Sequence, residues 1–229
     1  MSAALLNKLQ NGDISAVIFD LDGVLIDSTA GIADCTNYCL REIGRDERSV
    51  EEIKRYIGSP LPEMFADFAP GVEYAEIRPH FKIRARDVIV NSTELLPYAR
   101  ETITQLKFAG LQIGIGSTKV RSHISGIVEK FGLESDIESY TGGDEATPKP
   151  APDIFLITCQ RLGVAPESTL VVGDTINDTL AAMSAGMHIV SIESDLGDSR
   201  LMQETPSERH FNSLYDFTEY VMAALRYNA

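Results

Sequence analysis

Apolar and polar positions alternate between two rhythms along the chain. Residues 16–19, AVIF, form an unbroken apolar run, the pattern of a strand covered on both faces. Comparable short runs predict strands in LQIGIGS (111–117), IESYTGG (137–143), TLVVGD (169–174) and MHIVSI (187–192). Between them the apolar period lengthens to that of a helix over 98–109, 121–131, APDIFLITCQRLG and TINDTLAAMSAG, the last stopped by Gly186. SLYDFTEYVMAALR predicts a closing helix. Strands alternating with helices predict an α/β fold, a doubly wound parallel sheet of Rossmann-like type.

Residues 28–92 break this alternation, because only the helical period occurs there. AGIADCTNYCLREIG sets Ile32, Cys35, Cys39, Leu40 and Ile43 on one face, and Gly44 marks a stop. Ser49 followed by Glu52 has the spacing of a capping box. YAEIRPHFKIRARDVIV predicts a long helix with a break near Pro79, carrying an apolar stripe (Phe81, Ala85, Val88) and a basic one (Arg78, Lys82, Arg86) that reads as a solvated face. The expected organisation is a core made of residues 1–27 and 93–229, interrupted after its first strand by an α-helical insertion over 28–92.

At 229 residues the chain can bury one core, or a core plus a smaller insertion. A content of 44% hydrophobic and 24% charged residues is that of a globular protein. MSAALLNKLQNGD lacks a basic region followed by a sustained apolar run, and no segment approaches membrane-spanning length, so the expected location is cytoplasmic. A net charge of −14 argues against nucleic-acid or anionic-membrane partners. It leaves room for a small anion held by a metal ion and a few local donors. Cys35, Cys39 and Cys159 are too few for a disulfide framework and read as packing thiols.

The polar clusters fall where strands end: DLDG after the first strand, GST at 116–118, PKPAPD around Lys149, and GDTIND at 173–178. Ligands of open parallel sheets bind outside those strand ends. Each cluster has a plainer reading. Asp22 with Gly23 could make a turn, Ser117 or Thr118 could cap a helix, Lys149 could be solvated, and Asp174 could cap the helix after its strand. The first cluster resists it most, since paired carboxylates at the end of a buried strand need a cation, a proton or water to compensate them.

In this order the clusters resemble the haloacid dehalogenase superfamily of phosphohydrolases, in its phosphoglycolate phosphatase-like branch. DLDGVLIDS, GSTK, KPAPD and GDTINDTLAA are similar to its four motifs, and YIGSPLPEMF to a segment of its cap. Two departures stand out: Tyr98 occupies a position often held by Gly, and GST replaces the commoner Thr-Asn pair. The resemblance implies a phosphatase acting on a small phosphorylated metabolite, as a monomer or homodimer. Asp20 would be the nucleophile that forms an aspartyl-phosphate, and Asp22 the general acid and then base. Asp22 must then hold a proton, and neighbouring carboxylates are expected to favour that. Mg²⁺ would sit on the Asp20 and Asp174 carboxylates and the Asp22 main-chain carbonyl, with Asp178 direct or through water. Ser117, Thr118 and Lys149 would hold the phosphate; Lys119 rivals Lys149, which fits the KPAPD motif. A β-phosphoglucomutase-like phosphosugar mutase is the nearest alternative, a true dehalogenase would have no need of Asp22, and a receiver-like phosphate switch would be shorter.

Overall fold

The structure is a computed structural model that describes residues 3–196 and 206–226. Its main sheet contains β1 (Ala16–Phe19), β4 (Gln112–Gly116), β5 (Ser139–Thr141), β6 (Thr169–Gly173), β7 (His188–Ile192) and β8 (Arg209–Phe211). They lie in the order β5-β4-β1-β6-β7-β8, and every pairing is parallel. This is the doubly wound α/β fold that the alternation predicts. β1 is central because its residues are buried on both faces. Val17 and Phe19 join one core cluster with helices α1 (Ala3–Asn11), α6 (Ala99–Phe108), α7 (Arg121–Lys130) and α10 (Leu214–Arg226). Ala16 and Ile18 join the opposite one with α8 (Asp153–Leu162) and α9 (Ile176–Ser184).

The chain leaves β1 for β4 and β5 on one side, then returns to β6, β7 and β8 on the other. The winding therefore reverses at β1 and β6, where such sheets open a crevice at their carboxyl ends. Phe19 pairs with both Ile115 and Val172, so Asp20, Ser117 and Asp174 all emerge at this edge.

Residues 29–92 form α2 (Thr29–Glu42), α3 (Val50–Lys54), α4 (Leu61–Phe68) and α5 (Tyr74–Ser92). These helices gather an apolar cluster of their own, including Cys35, Cys39, Ile53, Phe65, Phe81 and Ile89. The Ser49–Glu52 capping box is formed. The expected break at Pro79 does not occur, and α5 runs through it. Pro79 and Ala75, whose carbonyl loses its N–H partner, both face solvent, while Ile77, Phe81, Ala85 and Ile89 anchor the buried side. Lys130 of α7 closes the end of α5 by donating to the carbonyls of Val90, Asn91 and Thr93. A short antiparallel pair, β2 (Ile26–Asp27) with β3 (Glu94–Leu95), flanks the two chain crossings.

Candidate active site

The four strand-end clusters meet at one place. Asp20, Asp22, Ser117, Lys149, Asp174 and Asp178 are all buried, and Thr118 is half-buried beside them. Asp20 extends β1, its N–H donating to the Val172 carbonyl at 2.8 Å. The Lys149 ammonium donates to Asp20 Oδ1 at 2.7 Å and to Asp178 Oδ1 at 2.6 Å, which removes the solvated reading of that lysine. Asp178 Oδ2 accepts from the N–H and hydroxyl of Thr175 at 3.0 and 2.6 Å. Thr175 and Asp178 thus form the capping box of α9, and Asp174 is not the cap. Gly173 has no side chain because a β-carbon there would overlap Asp178.

Asp174 differs from its neighbours. Both its carboxylate oxygens are buried without a well-formed hydrogen bond. Carboxylate oxygens of Asp20, Asp174 and Asp178 lie within 4.8 Å of one another. Burial, then the charges of Asp20 and Asp178, push the Asp174 carboxyl well above the usual carboxylate range, and Ser194 offsets this only slightly. Burial likewise pushes Asp20 up to about 7: Lys149 opposes the rise, while Asp178 and Asp22 add to it. Burial alone would lower Lys149, but Asp178 and Asp20 outweigh it and hold the ammonium charged. A cluster of oxygen ligands short of positive charge fits a small hard cation.

The surroundings of Asp22 correct the sequence expectation. Its immediate neighbour is a cation rather than a carboxylate: Lys119 Nζ donates to Oδ1 at 2.9 Å and to Oδ2 at 2.8 Å. The same ammonium donates to Ser28 Oγ at 3.0 Å, and Ser28 also hydrogen-bonds Asp22. Ser28 stands at the head of α2 but makes no side-chain cap there. Lys119 and Lys149 therefore serve different acids rather than competing for one place. Sequence reasoning missed Ser28; its signal was a hydroxyl closing DLDGVLIDS, six positions after Asp22.

Main-chain bonds tie the loops together. Ser117 N–H donates to the Thr141 carbonyl at 3.1 Å, and Gly143 N–H to the Lys119 carbonyl at 2.9 Å. Gly142 and Gly143 allow this approach, since a β-carbon on either would strike the backbone of Arg121 or Thr118. Ser117 Oγ accepts from the Lys119 N–H at 3.2 Å. The arrangement can bind a cation through three carboxylates, two of them also held by Lys149, hold an anion at two strand-end loops, and present one further carboxylate, Asp22, on Lys119.

Known proteins resemble this chain. Residues 17–192 match the family described as haloacid dehalogenase-like hydrolase. A phosphoglycolate phosphatase from Nitrosospira multiformis is 27% identical over 217 residues, covering 91% of this chain and 96% of that protein. One from Shigella dysenteriae is 30% identical over 215 residues, covering 82% of this chain and 83% of that one. The crystal structure of a haloacid dehalogenase-like hydrolase from Bacteroides fragilis superposes with a TM-score of 0.83 at 29% identity, covering 89% of this chain and 99% of that one. With its strand-end carboxylates and lysines in one site and this family match spanning all four motifs, the chain belongs to the haloacid dehalogenase-like hydrolases, in the branch that resembles phosphoglycolate phosphatases.

Proposed function

We propose that the protein is a Mg²⁺-dependent phosphatase that hydrolyses a small phosphomonoester of the phosphoglycolate type through an aspartyl-phosphate on Asp20. The observation that carries this reading is the three-aspartate cluster, with both Asp174 oxygens short of a well-formed hydrogen bond and Lys149 bridging Asp20 to Asp178.

An Asp20 oxygen attacks phosphorus in line, the P–O(Asp20) bond forms, and the ester P–O bond breaks as Asp22 gives its proton to the departing alcohol. Asp22 then takes a proton from the water that attacks the aspartyl-phosphate, releasing inorganic phosphate and restoring Asp20. Ser117 Oγ, the Thr118 main-chain N–H and Lys149 hold the phosphoryl oxygens where charge accumulates. Asp20 and Asp174, with the Asp22 main-chain carbonyl, would hold the ion. Asp178, whose two oxygens already serve Lys149 and Thr175, completes the set directly or through water. When bound, Mg²⁺ supplies charge that offsets the clustered carboxylates and the incoming phosphate.

Residues 28–92 act as a cap over this site. In support, they carry a separate apolar cluster, and Gly58 approaches the core so closely that a β-carbon on it would lie 3.0 Å from Thr175 Cγ2. Three buried free thiols suit a reducing cytoplasm, and no described helix is long and apolar enough to cross a membrane.

Phosphate release from a panel of small phosphomonoesters, with Mg²⁺ or with a chelator, tests the proposal. Turnover is expected only with Mg²⁺, and Asp20→Asn is expected to abolish it in a protein that still folds. Near-wild-type release by folded Asp20→Asn, with deamidation excluded by mass, would overturn the assignment. Return of the phosphoryl group to a sugar instead of water would indicate a mutase.

A further inference from the structure

We propose that Lys119 is a specificity-determining residue: it holds Asp22 before substrate arrives, then pairs with a second anionic group on the leaving alcohol. The inference rests on the phosphatase reading and deepens it.

An ammonium has three N–H donors, and those of Lys119 are all engaged, by Asp22 Oδ1, Asp22 Oδ2 and Ser28 Oγ. The residue is half-buried, but its side chain is only 8% exposed. Lys149 is occupied elsewhere, by Asp20 and Asp178. The two lysines thus divide the site. Lys149 lies on the side of the attacking carboxylate and the aspartate cluster, and Lys119 on the side of the acid that meets the leaving group. His123, pushed below its ordinary value by burial and by Lys119, adds no second cation there at neutral pH.

To reach the ester oxygen, one Asp22 oxygen must turn from Lys119 toward the substrate. That movement leaves a buried ammonium N–H without an acceptor, which is costly unless another acceptor replaces it. Asp22 stands between the two partners. With one hydrogen bond from Lys119 to one Asp22 oxygen and another from the second Asp22 oxygen to the leaving oxygen, Nζ lies within roughly 8 Å of that oxygen. A carboxylate attached to the ester carbon extends into this gap, accepts the freed N–H and faces the ammonium charge. A methyl group in the same place does neither. The substrate favoured by Lys119 is therefore a phosphate ester of a short hydroxy acid, and the neutral alkyl ester of equal size is disfavoured.

The test compares kcat/KM for 2-phosphoglycolate and ethyl phosphate in the wild type, Lys119→Met, Lys119→Gln and Lys119→Arg. The wild type is expected to favour 2-phosphoglycolate by roughly 10- to 100-fold, the worth of a charge-assisted hydrogen bond. Lys119→Met and Lys119→Gln should erase that ratio, and Lys119→Arg should keep part of it. A thermal melt checks that each variant is folded, and Asp20-dependent single-turnover release from p-nitrophenyl phosphate, whose leaving group needs little proton assistance, checks that it is competent in the first step. Equal losses on both esters would overturn the proposal, since Lys119 would then serve Asp22 or the phosphoryl oxygens alone. So would a wild type without the preference. Absence of Asp20-dependent release from p-nitrophenyl phosphate in the wild type would instead overturn the phosphatase reading, and this inference with it.

Discussion

Gly23 lies so close to Asp174 that a β-carbon on Gly23 would overlap Asp174 Oδ2, and the same carbon would come within 2.6 Å of Ser194 Oγ. The turn after DLD is thus pressed onto the aspartate at the end of β6, with Gly23 at a φ of +78°. Two physical requirements select glycine here, a left-handed backbone and the absence of a side chain. Gly23→Ala should therefore weaken both stability and the proposed Mg²⁺ site. The backbone conformation alone costs about 1 kcal/mol, and displacing Asp174 adds to it. Urea unfolding and calorimetric Mg²⁺ titration check this; wild-type affinity in the variant would show that Asp174 is not held by this contact.

Metal-free protein should become less stable as pH rises through the range in which Asp20 ionises. The Asp20 carboxyl is raised from 3.8 to about 7 in the fold, burial being the largest cause. Between those values the folded state binds the extra proton, so stability is lost with rising pH and the loss is complete above about 7. In a chelator, Asp20→Asn should melt above the wild type at pH 8, and the difference should shrink toward pH 4. Mg²⁺ should reverse the wild-type deficit most at the higher pH, because binding requires the carboxylate. A difference between the two proteins that did not change with pH would contradict this linkage.

Strand-end chemistry was legible because the buried strands left so little ambiguity about where they stop. AVIF, TLVVG and LQIGIG mark three neighbouring strands, and the polar residues following each had to emerge at one edge. Short elements were legible only in part: β5 (Ser139–Thr141) falls within the predicted IESYTGG, but others left no pattern. β8 is the three-residue Arg209–Phe211, and β2 and β3 have two residues each, too few for a period to register. α1 escaped notice although Leu5 and Leu9 sit one turn apart and are buried. The pairing of Lys119 with Asp22 was hidden for another reason: which lysine meets which acid depends on the packing of separate loops. Tyr98 illustrates a departure resolved by structure. Among the described residues it is the non-glycine residue with positive φ, at +68°, where family members often carry Gly. Its ring packs edge-on to Tyr215 at 5.0 Å, and its hydroxyl accepts from Gln105 at 3.2 Å, contacts that offset the strain.

Glu145 should support the fold at neutral pH and stop doing so in strong acid. Its carboxylate is held by Arg161, with help from the Gly142 N–H and Arg121, and lies at about 2 rather than 4.5. A depressed folded value contributes stability that is fully present above 4.5 and is lost as pH falls through about 2. Glu145→Gln should accordingly lower the melting temperature at pH 7, with the deficit vanishing at the acid end. Because the site is partly exposed, added salt should also shrink the deficit. The measurement is a pair of thermal melts across pH at low and high ionic strength; a deficit independent of both would place the effect in packing.

Asp22 serves both half-reactions in the proposed mechanism, so its loss should be felt unequally when the leaving group changes. An alkyl phosphate needs a proton delivered to its departing oxygen, whereas p-nitrophenolate departs with little help. Asp22→Asn should therefore slow the first step with alkyl esters by roughly 10²- to 10⁴-fold while partly sparing it with the aryl ester. Attack of water on the aspartyl-phosphate would still lack its base with either substrate, so the intermediate should accumulate from the aryl ester. Rapid mixing should then show a burst of p-nitrophenol followed by a slow steady state, and peptide mass analysis after acid quench should find phosphate on Asp20. The asparagine also loses the charge that Lys119 and Ser28 hold in place, so a melting curve must accompany the kinetics. A folded variant impaired equally on both esters, with no burst and no phosphorylated Asp20, would leave Asp22 as a structural partner of Lys119 rather than the group that moves the proton.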